Sequence, residues 1–458
     1  MEPEGAAGPP GGCRGPCRAG AVRAAVGALR LSVDDPNRAR SDLGYERRAW
    51  TLIYLCLGLV EGGTAAVMVR ALFGNEAPRM AVDVVLAFVS AAPAWSNLAS
   101  MAYARRAQGR PKIAFLVPLL MAMTACVAAL AMVPKSGVGL VLFFALYACA
   151  RLLWAGVETV RAVLWSVNYP TRARARITGR ITINTSIVVA LVGVGLGWLV
   201  GQDGPWWRLA LVAGCLCGFA GTVAFRRLRV RREGDLLQAE RARLLEGATF
   251  GPGGMRALLA RDPAFREYQL AMSMFGAGLL SLTPLMVVCL NDVLGLPTFA
   301  QVVVTTSLPV IVMPLAVQPW ARYLDRHRVV AFRALHGRIT IVAVILLMAA
   351  VALHQAPLLW PGALLMGVSM AAGSLGWTLG HNDFAPRGEE TRYMALHVTL
   401  TGLRGLVAPP LTIGAYHVLD SIHAGAGPFA LGIPFALVAS GAWRFQKMHR
   451  NRLVDSAA

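Results

Sequence analysis

The residues of this sequence best placed for chemistry are ionisable side chains set deep in apolar surroundings. Glu61 follows Leu57-Gly58-Leu59-Val60 and precedes Gly62-Gly63-Thr64-Ala65, with no cation nearer than Arg70. A carboxyl group there is a site for a proton or a cation, because desolvation makes its charge costly. Arg151, in Tyr147-Ala148-Cys149-Ala150-Arg151-Leu152, and Arg404, in Thr401-Gly402-Leu403-Arg404-Gly405-Leu406, are the deep cations. A guanidinium grips a carboxylate or phosphate through two donors at once. Two readings of each stay open. Glu61 and Arg151 either handle a proton or a cationic substrate, or form an ion pair joining two helices. Arg404 either helps hold an anionic solute or is satisfied by backbone carbonyls near Pro409 or by a helix end. Asn97 and Asn184 offer neutral hydrogen bonds, to a cavity or between helices.

A second group of charges sits nearer the ends of the apolar stretches. Glu158 and Arg161 are one turn apart and share a helix face, which suits a gating network better than a transport site. Asp325 and Arg326, with Glu389, Glu390 or Arg392, form an equivalent group later in the chain, and Gly109 and Arg110 lie in a basic connection. All eight histidines fall from His327 onward. His381, Asn382, Asp383 and His397 can approach one another, but they lack the tight spacing of a transition-metal site, and no metal is expected. Six cysteines lie in apolar stretches as small hydrophobes, while Cys13 and Cys17 lie in a Gly/Pro/Arg-rich tail, and no disulfide or zinc pattern appears. No G-x-x-x-x-G-K-[ST] phosphate loop is present. The sequence shows no convergent nucleophile, base and metal set, so neither an enzyme nor a cofactor is expected.

The elements that must position these residues follow from composition. Of 458 residues, 56% are hydrophobic and 15% charged, against roughly 45–50% and about 25% in soluble domains. Net charge is +20, yet the cations fall between apolar blocks, which argues against a nucleic-acid partner. The blocks are about 20 residues long, the length of a membrane-spanning helix. They place spans near 49–70, 80–103, 113–133, 138–163, 179–201, 206–225, 267–290, 298–319, 335–353, 358–380, 394–418 and 427–444. Continuous apolar runs predict helices, since lipid leaves backbone groups no outside partner. Glu61 then lies about twelve residues, or roughly 18 Å, into the first span. Arg151 lies at an overlapping depth in the fourth, which runs the other way.

Basic connections alternate with cation-poor ones. Arg105, Arg106, Arg110 and Lys112 follow the second span, Arg172, Arg174 and Arg176 the fourth, Arg322, Arg326 and Arg328 the eighth, and Arg387 and Arg392 the tenth. Residues 291–297, 354–357 and 419–426 carry no Lys or Arg. The positive-inside rule then puts both termini in the cytoplasm of a bacterium, across its cytoplasmic membrane. The expected organisation is a disordered basic tail at 1–48, a six-helix bundle at 49–225, a cytoplasmic linker at 226–264, a second bundle at 265–446 and a tail at 447–458. Arg226 to Arg243 can form a surface helix in the linker, ahead of a break at Gly251-Pro252-Gly253-Gly254. A faint repeat relates Trp165, Asn168, Pro170, Arg176 and Thr182 to Trp377, Asn382, Pro386, Arg392 and Thr399.

Three degenerate motifs add to this topology. The connection after span eight reads Ala321-Arg322-Tyr323-Leu324-Asp325-Arg326-His327-Arg328, and that after span two reads Ala102-Tyr103-Ala104-Arg105-Arg106-Ala107-Gln108-Gly109-Arg110. Arg151 precedes Gly156 in span four, and Gly193-Val194-Gly195-Leu196-Gly197 runs through span five. Over about residues 49–444 the chain resembles the major facilitator superfamily, whose loop motif is G-x-x-x-D-R-x-G-R. The second copy keeps Asp325-Arg326. The first has Arg106 at the acidic position, and Pro409-Pro410 stands in span eleven where the family's small residues are expected. The resemblance implies an all-α membrane fold of twelve helices in two bundles, with spans one and four lining a central cavity. It implies a secondary transporter of a small organic solute, working by alternating access and coupled to a proton or another ion. A non-transporting scaffold or sensor on the same fold, and a membrane-embedded transferase, are the other functions weighed.

Overall fold

The computed structural model describes residues 36–169, 171–245, 252–386 and 389–457. The expected tail through residue 35, with Cys13 and Cys17, lies outside them, as do Pro170 and Arg387. The chain divides into two compact units, Met1–Tyr45 and Glu46–Ala458. All packing described here is within the second.

Helices form wherever apolar blocks occur, and no strand appears among the described residues. The first, α1, is Pro36–Leu57, so residues 36–48, expected as tail, are helical. Hydropathy hid this extension because its residues are polar. Its anchor is Glu46, which is buried and accepts hydrogen bonds from the indole N–H of Trp50 at 3.1 Å, that of Trp165 at 2.6 Å and the hydroxyl of Tyr169.

The first two spans are each broken. A 3-10 turn, Gly58–Val60, ends α1, Glu61 is extended, and α2 runs Gly62–Phe73. The two parts meet at 42°. The second span is α3 (Arg79–Ser90), α4 (Ala92–Trp95), a 3-10 turn and α5 (Ser100–Ala107), bent by 52°. Pro93 supplies no N–H to the helix at that bend. The sequence-based expectation of continuous helices at 49–70 and 80–103 is therefore corrected. The signals were Gly58, Gly62, Gly63 and Pro93.

The remaining spans follow the expected blocks closely. They are α6 (Lys112–Leu130), α7 (Gly137–Asn168), α8 (Thr171–Val200) and α9 (Trp206–Phe225). After α10 (Glu233–Leu245) and α11 (Pro252–Arg261) come α12 (Pro263–Asp292), α13 (Thr298–Val302) with a π turn at Val303–Ser307, and α14 (Leu308–Arg326). Last are α15 (Val329–Ala352), α16 (Leu359–Leu379), α17 (Glu390–Ile422) and α18 (Gly432–Ala457). Local chemistry sets several starts. Ser136 accepts from the N–H of Gly139, Asp262 from that of Phe265, and Asp383 from that of Val329, satisfying donors that a helix leaves free.

Among the described residues nine helices are long and apolar enough to cross a membrane, or eleven if each bent pair is one span. The 33-residue α17 carries His397, Arg404 and the Pro409-Pro410 pair, which lower its hydropathy. Its outward face is nevertheless apolar, with Leu403, Val407, Leu411 and Val418 exposed. Outward apolar faces on many helices, including Leu191, Leu216 and Leu315, mark this as a multi-pass membrane protein.

Helices before the linker pack chiefly with one another, α6 against α7 and α9. Those after it do likewise, with α12 against α17 and α18, and α16 against α14 and α15. The two sets meet where α17 lies on α3 and α4 and where α13 lies on α8. Glycine permits both approaches. Gly402 faces Leu98, Gly405 faces Ala94, and Gly197 faces Val302, each too closely for an added methyl group.

Candidate functional site

A cavity of about 450 Å³ lies between the two sets, lined by Glu61, Ser90, Thr305, Met313, Ser369 and Ser374 among others. Glu61 enters it from the broken joint of the first span. Its backbone is extended at φ −68°, ψ 141°, and its carbonyl accepts from Ala65 N–H at 2.8 Å. The joint exists because glycine lets other helices close in. A methyl group on Gly62 would strike the Ser90 carbonyl, and one on Gly63 the Thr306 hydroxyl.

Arg151 stands behind Glu61. Its Nη1 lies 3.4 Å from Glu61 Oε2, and the arginine side chain is 3% exposed against 27% for the glutamate. Glu61 is thus the partner facing the cavity, and Arg151 is the buried countercharge. Beside them the Tyr147 hydroxyl donates to the Val89 carbonyl at 3.0 Å, tying α7 to α3.

Other residues singled out in the sequence lie elsewhere. Arg404 does not line the cavity. It donates to the carbonyl of Met272 at 2.6 Å and to Thr401 Oγ1 at 3.1 Å, so its carbonyl partner is on α12 and not near Pro409. Asn97 donates to the Pro93 carbonyl in its own helix at 2.9 Å. Asn184 donates to Thr51 Oγ1 at 2.6 Å, joining α8 to α1. Arg161 meets Glu158 at 3.9 Å but is held chiefly by rings: its Cζ lies 4.7 Å from the Trp165 ring, 5.0 Å from Trp50 and 5.5 Å from Trp154. Its Nη1 also donates to the Tyr54 hydroxyl at 2.9 Å. Gly109 adopts φ 67°, and its N–H donates to Glu240 of α10 at 2.7 Å. Lys112 holds the same carboxylate at 2.5 Å. The loop carrying Gly109 and exposed Arg110 is therefore pinned to the linker helix. Asp325 and Arg326 are exposed at the end of α14. Glu389 pairs with Arg261 of α11, whose hydrogen bond holds its carboxyl below the usual carboxylate range, against a smaller opposing effect of desolvation.

The sequence reading missed one network entirely. On the face opposite the linker, Arg70 bonds buried Asp83 and also Asp292 at 2.6 Å. Asp292 also takes Arg79 at 2.6 Å, Arg79 reaches Asp420 at 3.4 Å, and His417 lies 3.0 Å from Asp83. These contacts tie α2 and α3 to α12 and α17 across the boundary between the sets. A signal was present: acids and arginines of opposite sign at the ends of four spans, all on the side poor in basic connections.

Fold and site together define an all-helical membrane protein whose two sets of helices border a largely apolar cavity that the carboxylate of Glu61 enters. Residues 35–409 match the Major Facilitator Superfamily, and the chain belongs to that family. No curated protein sequence matches it. Among solved structures it is similar to a D-xylose-proton symporter (TM-score 0.66, 13% identity, covering 89% of this chain and 97% of that one). It is similar to the inward-open xylose transporter XylE from E. coli (0.64, 11%, 90% and 96%). It is also similar to a bacterial homolog of the human lysosomal transporter Spinster in an inward-facing, unoccupied state (0.63, 13%, 91% and 98%). At these identities the likeness is one of fold.

Proposed function

We propose that this protein is a secondary active transporter that moves a small organic solute by alternating access, driven by a proton gradient. The observation that carries the reading is Glu61, placed on a broken helix, facing a cavity between two sets of helices and backed by the buried cation Arg151. A carboxylate so placed has two stable conditions. Ionised, it pairs with Arg151; protonated, it releases that pair and changes what the cavity attracts. Movement of one set against the other alters its distance from Arg151 and so its proton affinity. That links protonation to which face is open.

In this proposal the sets are two six-helix bundles, 49–225 and 265–446, and α17 completes the twelve spans. Both termini and the linker face the cytoplasm of a bacterium, as the basic connections indicate. The Arg70–Asp83–Asp292–Arg79–Asp420 network then closes the external face, and the described state is one closed to the outside.

The test uses proteoliposomes with an internal pH dye, a panel of small organic acids, sugars and amines, and the Glu61→Gln variant beside wild type. A solute that moves protons with wild type and not with Glu61→Gln is the expected result. Equal pH-gradient dependence in a well-folded Glu61→Gln variant assigns Glu61 a structural role and removes it from coupling.

A further inference from the structure

Most of the buried arginines discussed above meet a carboxylate: Arg70 meets Asp83 and Asp292, Arg151 meets Glu61, and Arg161 meets Glu158. Two arginines of the second set, buried Arg333 and partly exposed Arg404, do not. Arg333 of α15 is 1% exposed, and among the described residues its only hydrogen bond runs from Nη1 to Nδ1 of His336 at 3.2 Å. An arginine only donates, so that nitrogen accepts. His336 is then a neutral imidazole whose Nε2–H donates to Ser369 Oγ at 3.0 Å. It brings Arg333 no negative charge. The Nε and Nη2 of Arg333 are buried with no partner among the described residues. Those two nitrogens form one edge of the guanidinium, the edge that matches both oxygens of a carboxylate.

Arg404, partly exposed, approaches from α17. Its Nη groups are used by Met272 and Thr401, and its Nε is free. Around the two arginines, Tyr268 Oη, Gln269 Nε2, His381 Nδ1 and His397 Nε2 are also buried without partners among the described residues; His397 Nδ1–H donates to Gln269 Oε1 at 3.1 Å, so its Nε2 is an acceptor. The two arginines, His397 and His381 lie within electrostatic reach of one another, with Glu390 reaching the group only through His381. No carboxylate among the described residues pairs with Arg333 or Arg404.

Buried polar atoms in folded proteins nearly always have partners, and a buried charge without a countercharge is expensive. Water satisfies donors but does not neutralise two guanidinium groups. An oxyanion does both. The seats are built for it: a methyl group on Gly376 would come within 2.6 Å of Arg333 Cζ, and one on Gly276 within 2.5 Å of Arg404 Cζ. Each guanidinium fills a notch that glycine alone provides. The cluster borders the central cavity through Ser369, which accepts from His336 and lines that cavity.

We propose that Arg333 and Arg404, with the free Tyr268 hydroxyl and Gln269 amide N–H beside them, form a binding site for the carboxylate of a small organic acid. Arg404 is the point of entry, and the free edge of Arg333 grips the two oxygens. That the acid is cargo, and not a fixed occupant, rests on the transporter reading; the site itself does not.

The test is thermal unfolding of the purified full-length chain in nanodiscs, at fixed ionic strength and neutral pH, with succinate, inorganic phosphate or glycerol added. Succinate raises the melting temperature of wild type in a concentration-dependent way, as a ligand of the native state must, and glycerol at equal concentration does not. Arg333→Lys keeps the charge but loses the two-pronged edge, and weakens the succinate effect at least tenfold. Gly376→Ala, with both arginines intact but Arg333 displaced, does the same. The site is refuted if no oxyanion stabilises wild type, or if both variants respond as wild type does. Stabilisation by phosphate and not succinate overturns the carboxylate assignment. The readout needs no transport, so its failure leaves coupling through Glu61 untouched, and a failure of coupling leaves this shift in place.

Discussion

At the scale of single residues, the Glu61–Arg151 pair is unequal, and the inequality decides how it fails. Counting residues along two helices brings the pair together, because helical rise fixes depth. Sequence alone does not say which partner is buried, and its most direct expectation is that losing Arg151 would strand a buried acid. The structure reverses this, since Arg151 is the buried partner and Glu61 is partly exposed. Removing one partner of an ion pair leaves the other uncompensated, and here neutralising the acid strands the buried arginine. Glu61→Gln should therefore lower the melting temperature more than Arg151→Gln, and the double variant should recover part of the loss. Additive losses in the double variant would show that the pair is not coupled. A second residue-scale prediction concerns Glu389, whose carboxyl Arg261 holds below its ordinary range. A depressed carboxyl contributes stability above its unfolded pKa and loses it as pH falls through the folded value. The stability difference between wild type and Arg261→Ala should thus be constant near neutral pH and vanish under acid conditions. Both groups are exposed, so the difference is small. A difference that grows on acidification would contradict the pairing.

At the scale of elements, helix positions were legible and helix breaks were not. Apolar blocks mark the lipid-crossing lengths, and Trp206–Phe225 matches its expected bounds at both ends. The breaks at Glu61 and Ala91 depend on how neighbouring helices press on Gly62, Gly63 and Pro93, which is a tertiary fact. The linker-distal network escaped for the same reason: Arg70, Asp83, Asp292 and Asp420 come from four helices whose relative rotation no single stretch encodes. The contact of α17 with α4 carries its own prediction. Gly405 abuts Ala94 and the N–H of Trp95, so Gly405→Val overpacks the joint between the sets, at a cost of about 1–3 kcal/mol. A melting temperature in nanodiscs several degrees below wild type is expected, with Gly405→Ala in between. An unchanged Gly405→Val would mean that α17 stands away from α4 in the protein as it exists in lipid.

At the scale of the whole molecule, the account requires the two sets to rock about the Glu61–Arg151 centre, with charge pairs holding the linker-distal face shut. In the structure that face is tied by Arg79 to Asp292 and Asp420. Neutralising those ties should shift the population toward the opposite state, since a two-state element moves by the energy removed from one side. The direct measurement is a pair of spin-label distances on a background without native cysteines. One pair, Asn75→Cys with Ala424→Cys, reports the linker-distal face. The other, Gln108→Cys with Arg328→Cys, reports the linker face. On adding Arg79→Ala and Asp292→Asn, the first distance should lengthen while the second shortens. Distances that stay fixed, or that change in the same direction on both faces, would contradict alternating access in this protein.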